Sequence, residues 1–252
     1  MFLRRLILWS SPLVWFLGLE LIYLVPGLGW IVGGILLAYL AFVICFLEKF
    51  HLDKSFFHFL ILPLVFSMSS LLFCSFLVDK IAYHAIVVLS AVCLFLILRQ
   101  YYFYFNYPFK YQPYSLESLS LYLCLLTGFF FFSSCFGAFI LLQLNIFLVI
   151  AVLFVVAGLM TYQFFWIHKV AIDKSRLFVL CVALVLVELF VAVSYLPTGY
   201  YVNSFILTIV YYLMLGFSKH FLANTLTGRR VVVYIALSII SVLAILLTAQ
   251  WI

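Results

Sequence analysis

The sequence consists of long apolar runs separated by short polar or turn-forming breaks. Nine such runs lie at about residues 6–25, 30–47, 56–78, 81–98, 118–140, 146–167, 177–196, 201–218 and 231–250. Each is about 18–23 residues long, the length that a helix needs to cross a hydrocarbon core ~30 Å thick. Because 69% of the residues are apolar and 8% are charged, a soluble fold would expose much apolar surface to water. The sequence therefore predicts an all-α, polytopic integral membrane protein with nine transmembrane helices.

The basic residues indicate how these helices are oriented. Twelve of the thirteen Lys and Arg residues fall before the first run or in every second loop, whereas Lys80 falls in the other set of loops. Lys and Arg accumulate on the cytoplasmic side of membrane proteins. We therefore predict a cell-membrane protein, in the plasma or inner membrane, with a cytoplasmic N-terminus and an external C-terminus. Insertion topology also explains the net charge of +6, so we expect no nucleic-acid partner. The expected partners are the lipid bilayer and other membrane subunits.

A charged frame, K-x-x-x-D-K-S, occurs at residues 49–55 and again 120 residues later at 169–175. Arg99 and Lys219 close apolar runs at the same offset. This register predicts a single membrane domain, residues 1–252, that contains a parallel tandem repeat. The predicted parts are four helices in residues 1–99, four more in residues 118–220, and a ninth helix in residues 221–252. The alternative is that both frames arose independently, because Asp and Ser are common at helix starts.

The segment between the two predicted repeats, residues 100–117, is unusually aromatic and carries few charges. We predict a cytoplasmic loop whose amphipathic rings lie at the level of the lipid headgroups. The alternative is a docking surface for a partner or a lipid headgroup.

Two acidic residues lie inside the apolar runs, Glu20 in the first and Glu188 in the seventh. A carboxylate near the bilayer centre costs on the order of 3 kcal/mol, so such residues often face a cavity, a partner or the protein interior. The repeat register pairs position 20 with Ile140 and position 188 with Met68. Any site built on these acids is therefore asymmetric, on one half of a duplicated scaffold.

The acids and three other polar residues are predicted to approach the external ends of their helices. If these residues form a pocket, its carboxylates could bind a cation or relay a proton. The structural alternative is that each Glu is protonated and hydrogen-bonded to a neighbouring helix, and that His84 is simply solvated. The predicted binding pocket consists of Glu20, His84, Glu188, Tyr195 and Asn203.

The sequence gives no catalytic motif, metal-ligand spacing or cofactor fingerprint. All six cysteines lie in apolar runs without a C-x-x-C pair, so we interpret them as packing residues. Three functions remain open. The first is transport or permeation of a small or amphipathic solute, the second is an accessory or assembly subunit of a membrane complex, and the third is an enzyme that acts on membrane lipid.

Overall fold

The computed structural model of this protein describes residues 2–48, 54–107, 109, 112, 114–170 and 172–249. Within these ranges the chain forms nine long α-helices and no β-strand. All nine are long and apolar enough to cross a membrane, which confirms the predicted fold class. The helices are α1 Phe2–Leu24, α2 Gly29–Leu47, α3 Lys54–Phe76, α4 Lys80–Asn106, α5 Ser115–Ile140, α6 Ile146–Ile167, α7 Ile172–Ser194, α8 Tyr200–Leu222 and α9 Gly228–Thr248.

Local sequence signals account for several helix ends. The Asp79 carboxylate accepts a hydrogen bond from the Ala82 N–H at 3.0 Å and caps the start of α4. The Asn145 side chain caps α6 in the same way, accepting from the Phe147 N–H at 3.0 Å. Such caps satisfy backbone donors that have no partner inside the helix.

Two helix C-termini end in a left-handed residue. Lys169 follows α6 with φ 56°, and Asn224 follows α8 with φ 52°. After Asn224, the Thr225 N–H donates back to the His220 carbonyl at 2.9 Å. This Schellman geometry satisfies the last carbonyls of the helix and turns the chain sharply.

The predicted aromatic loop at residues 100–117 is shorter than expected. Helix α4 continues through Asn106, and α5 begins at Ser115. The rings of Tyr101 and Tyr102 are buried, so they belong to the protein interior and not to a headgroup layer. Burial of these rings favours continuing α4 beyond the predicted end. The helix then ends at Asn106, two residues before Pro108 in the sequence, because proline disfavours a helical conformation in the residue that precedes it. Parts of this loop, residues 108, 110, 111 and 113, lie outside the described residues.

The chain folds into two compact units, Met1–Leu123 and Cys124–Ile252. Their boundary falls within α5 and not in the predicted aromatic loop. In the first unit, α1 packs against α2 and α4, and α3 packs against α2 and α4. Two hydrogen bonds join α1 to α4: Trp15 Nε1 donates to Ser90 Oγ at 3.1 Å, and Tyr83 Oη donates to the Leu19 carbonyl at 2.8 Å.

In the second unit, α6, α7, α8 and α9 pack in chain order. Aromatic side chains connect α5 to its neighbours. The Phe136 and Phe190 ring centroids are 4.4 Å apart, and those of Phe129 and Phe205 are 4.3 Å apart. Among the residues described in α9, Ser238 is the buried one, so this last helix presents most of its surface outwards.

Some helix ends agree with the predicted repeat register. Helices α2 and α6 end at Leu47 and Ile167, and α4 and α8 begin at Lys80 and Tyr200, both pairs at the 120-residue offset. Helices α3 and α7 begin 118 residues apart. The first K-x-x-x-D-K-S frame lies mostly outside the described residues, because 49–53 are not described. The tandem repeat therefore stays a prediction.

The close approach of α8 to α9 gives a stability prediction at Gly216. A Cβ at this position would lie 2.8 Å from Tyr234 Cε1 of α9. Gly216→Ala is therefore expected to force the ring aside and destabilise the hairpin by ~1–3 kcal/mol. Gly158→Ala is the matched control, because a Cβ at this helical glycine meets no atom within 4 Å. Thermal unfolding in detergent measures both variants, and equal unfolding temperatures would show that the contact does not constrain the hairpin.

A second prediction concerns pH and His168, which follows the last residue of α6. Burial and the nearby Lys219 charge together lower the pKa of His168 to about 4, although its Nδ1–H donates to the Phe164 carbonyl at 2.8 Å. Because this pKa lies below the ordinary value of 6.5, protons bind the unfolded chain more tightly than the folded one. Stability is thus kept above pH ~6.5 and lost as the pH falls towards ~4. Unfolding temperatures between pH 7.5 and 4.5 should fall less steeply in His168→Gln, and parallel curves would contradict this assignment.

Candidate functional site

The structure brings together two of the residues predicted to form a site, Glu20 of α1 and His84 of α4. His84 Nδ1 lies 2.8 Å from Glu20 Oε1. The hydrogen bond from Tyr83 Oη to the Leu19 carbonyl explains this geometry, because it fixes the residues immediately before His84 and Glu20 against each other. The predicted proximity of these two residues is therefore present in the first unit.

The pair lies near the ends of its two helices. Glu20 is four residues before the end of α1, and His84 is four residues after the start of α4. At 1.5 Å per residue, each lies roughly 6 Å from its helix end. The His84 side chain is 47% exposed and that of Glu20 is 22% exposed. The pair is therefore accessible to a ligand, and its depth is much less costly for a charge than the bilayer centre.

Two tyrosine rings lie beside the His84 imidazole. The Tyr23 ring centroid lies 4.8 Å from that of Tyr83 and 5.2 Å from the His84 ring. Neither Tyr23 nor Tyr83 was predicted from the sequence, although Tyr23 lies one helical turn after Glu20 and Tyr83 precedes His84. The site therefore offers a carboxylate, an imidazole and the partly exposed Tyr23 ring, whereas the Tyr83 ring is buried beside them.

The other three predicted site residues lie in the second unit and have different surroundings. Glu188 is exposed on α7, and Tyr195 is 81% exposed just after that helix. Asn203 is fully buried in α8, where its Oδ1 accepts a hydrogen bond from Thr198 Oγ1 at 2.5 Å. The Asn203 Nδ2 has no hydrogen-bond partner among the described residues. A five-residue pocket therefore stays a prediction, and the geometry supports the Glu20–His84 part of it.

A second polar group, which was not predicted from the sequence, occupies the interior of the second unit. Tyr211 Oη of α8 lies 3.3 Å from Cys124 Sγ of α5 and 3.5 Å from Thr161 Oγ1 of α6. The Tyr211 and Thr161 side chains are fully buried. Nearby in sequence, Gln163 is 1% exposed, and neither of its amide atoms has a partner among the described residues. The sequence shows that these residues are polar. Whether they meet depends on how each helix is rotated about its own axis, which the sequence does not show.

The described residues contain no group of three or more His, Cys, Asp or Glu side chains arranged to hold a metal ion. All six cysteines are free thiols in this part of the chain. The Glu20–His84 pair has chemistry suited to proton exchange and to binding a positively charged group, since a carboxylate attracts a cation and both side chains bind protons.

The chain matches a protein-family model over most of its length. That family model, described as "Protein of unknown function (DUF5656)", covers residues 10–248. The chain belongs to the DUF5656 family. The match to DUF5656 runs from α1 to α9 and includes Glu20, His84 and the other predicted site residues. Comparison with curated proteins and with solved structures gave no match.

Proposed function

We propose that this membrane protein transports a small amphipathic cation, and that Glu20 and His84 form the site where the cation and a proton compete. The observation that carries the proposal is the 2.8 Å contact between His84 Nδ1 and Glu20 Oε1 beside two tyrosine rings. An acid–base pair this accessible contributes little to stability, and ionisable residues within membrane-spanning helices commonly mark ion or substrate pathways. Selection for a ligand explains its presence better than selection for stability.

The chemistry of the surroundings defines the ligand class. The Glu20 carboxylate attracts positive charge, and the partly exposed Tyr23 ring can stabilise a cation within about 6 Å of its centroid. The transmembrane helices contain few polar side chains, so a strongly hydrophilic solute would lose its hydration without replacement. A cation with an apolar body, such as an aromatic or quaternary ammonium compound, satisfies both requirements.

The contact between the two side chains also supplies a coupling mechanism. When His84 is protonated, it pairs with the Glu20 carboxylate and leaves no free negative charge for the solute. When His84 is neutral, the carboxylate is available to the cation. Protonation and cation binding are then mutually exclusive, which is the thermodynamic requirement for exchanging one for the other.

The membrane face at which the Glu20–His84 pair lies follows from the orientation that we propose for the chain. The distribution of basic residues supports a cytoplasmic N-terminus, which puts the start of α4, and with it the Glu20–His84 pair, at the external face. An alkaline phosphatase fusion at the C-terminus should then be active in cells, and a fusion in the loop between α8 and α9 should be inactive. The opposite pattern would reverse the orientation and put the pair on the cytoplasmic side.

The transport proposal is tested with the purified full chain in liposomes that contain DNA, so that ethidium entry increases fluorescence. The membrane potential is clamped to zero with potassium and valinomycin. We expect an acidic interior to drive ethidium accumulation well above that of protein-free liposomes, and no accumulation without the pH gradient. The anionic dye 8-anilinonaphthalene-1-sulfonate serves as the charge control. Equal ethidium entry with and without the protein would overturn the proposal.

A further inference from the structure

The hairpin formed by α8 and α9 has a strongly cationic end. Lys219 and His220 lie in the last turn of α8, and Arg229 and Arg230 lie in the first turn of α9. Both arginines are exposed. Arg230 Nη1 donates to the Thr225 carbonyl at 2.7 Å and lies 3.4 Å from His220 Nδ1. These contacts hold the Arg230 guanidinium above the turn and beside the imidazole.

Acidic residues do not balance this charge. The sequence from residue 189 to residue 252 contains no Asp or Glu. On the same predicted membrane face, the second unit has six Lys and Arg residues and one acid, Asp173. This face of the second unit therefore carries a net positive formal charge, which favours the approach of anions.

The start of α9 adds to this attraction. Its N-cap residue, Thr227, makes no side-chain capping bond, and its first turn contains no acidic residue. Arginines at a helix N-terminus oppose the helix dipole, whereas an anion at that position is stabilised by the dipole and by free N–H groups. Arg229 and Arg230 are therefore placed where a bound anion would relieve an unfavourable interaction.

An apolar groove begins below this cationic end. A cavity of about 270 Å³ lies between α8 and α9 and is lined by Val210, Leu213, Ile235, Ile239 and Leu243, together with the buried Ser238. Along α9, Ile235 is five residues beyond Arg230 and Leu243 is thirteen beyond it, roughly 8 Å and 20 Å by the helical rise. The groove therefore extends through one leaflet of a ~30 Å hydrocarbon core and ends slightly past the centre of the core.

Tyr234 lies between the cationic end and the groove. Its ring packs against Gly216, and its Oη lies 3.5 Å from His220 Nε2. A tyrosine at this level has an apolar body facing the hydrocarbon and a hydroxyl facing the headgroups, as in the aromatic belts of membrane proteins. The hairpin thus presents, in order of depth, cations, an amphipathic ring and an apolar groove.

We propose that the α8–α9 hairpin binds one anionic glycerophospholipid from the adjacent leaflet. Its phosphate contacts Arg229, Arg230 and the free N–H groups at the start of α9, and an acyl chain lies in the groove between the helices. Charge complementarity selects an anionic headgroup, and the continuity of the groove with the cationic end selects a lipid over free phosphate. This site lies in the second unit and does not depend on the Glu20–His84 proposal.

Native mass spectrometry of the full chain tests this site, using added phosphatidylglycerol or phosphatidylcholine. We expect the wild-type protein to retain phosphatidylglycerol at least about tenfold more tightly than phosphatidylcholine. The double variant Arg229→Gln/Arg230→Gln should lose most of this preference. Arg5→Gln/Arg99→Gln is the matched control, because it removes two exposed arginines from the first unit and should keep the preference.

A second variant tests the groove separately from the charge. Ile239→Trp fills the groove without changing the net charge, and it should weaken phosphatidylglycerol retention severalfold. Millimolar inorganic phosphate should not displace the lipid. Equal retention of the two lipids by the wild-type protein would overturn the proposal, even if the arginine variant did not fold. Displacement by phosphate, or unchanged retention in Ile239→Trp, would overturn the assignment of the groove to an acyl chain.

Discussion

Replacing Glu20 by glutamine is expected to reduce pH-driven ethidium uptake to the level of protein-free liposomes, a loss of at least about tenfold. Glutamine keeps the size of the side chain, and its Oε1 still accepts a hydrogen bond from His84 Nδ1, so the contact between α1 and α4 survives. The negative charge is removed, and with it the attraction for a cation. A tenfold loss corresponds to ~1.4 kcal/mol of binding free energy, which is modest for an ion pair beside aromatic rings.

Glu188→Gln is the matched control, because it makes the same change at an exposed carboxylate on α7. We expect normal uptake in this variant and an unchanged unfolding temperature in both. The reverse result, with uptake lost in Glu188→Gln and kept in Glu20→Gln, would assign the site to α7 and contradict our proposal.

His84→Gln separates cation binding from coupling. Glu20 remains charged in this variant, so ethidium should still bind the protein, but its accumulation should no longer follow the pH gradient. A general loss of folding would instead remove binding and accumulation together. The two outcomes are distinguished by ethidium fluorescence anisotropy with the purified protein in detergent.

The sequence was sufficient to predict the membrane class and the helices. Apolar length, turn residues and the charge pattern act locally along the chain, and the bilayer thickness sets a common helix length. Helix ends were harder to predict, because they also depend on contacts with other helices. At α4 the decisive factor was the burial of Tyr101 and Tyr102, and burial depends on neighbouring helices. A run of tyrosines and phenylalanines is equally compatible with a headgroup layer and with a packed helix end.

The candidate site was predictable in part. Glu20 and His84 were selected because ionisable residues are rare within apolar helices, and the helix count put both near the same membrane face. Sequence did not reveal the Tyr83–Leu19 hydrogen bond that aligns them, because a backbone carbonyl carries no sequence signal. The Tyr211 cluster was missed for a related reason: Cys124, Thr161 and Tyr211 come from three helices, and uniformly apolar helices give little periodicity from which to infer rotation.

That cluster explains how the second unit is held together without a water-driven hydrophobic effect between helices. Lipid tails are as apolar as leucine side chains, so transmembrane helices associate through close packing and interhelical hydrogen bonds. The Tyr211 ring fills the space beside Gly128, where a Cβ would lie 3.4 Å from Tyr211 Cδ1. Its hydroxyl meets polar atoms of α5 and α6. One side chain thus combines both sources of stability.

Tyr211→Ala is therefore expected to cause the largest loss of stability, about 3–5 kcal/mol. The substitution leaves a cavity among α5, α6 and α8, and it leaves the Cys124 thiol without its partner. Tyr211→Phe keeps the ring and removes the hydroxyl, so it should cost about 1 kcal/mol. Thermal unfolding in detergent should rank the three proteins as wild type, Tyr211→Phe and Tyr211→Ala.

Tyr195→Ala is the matched control for this series, because the Tyr195 side chain is 81% exposed. A surface change of this kind should alter the free energy of unfolding by no more than about 0.5 kcal/mol. The comparison separates packing from any general effect of losing a tyrosine. If Tyr211→Ala unfolded at the same temperature as Tyr195→Ala, the second unit would not depend on this cluster. A normal Tyr211→Phe beside a destabilised Tyr211→Ala would assign the stability to the ring alone, and the hydroxyl would then be free to serve another role in the interior.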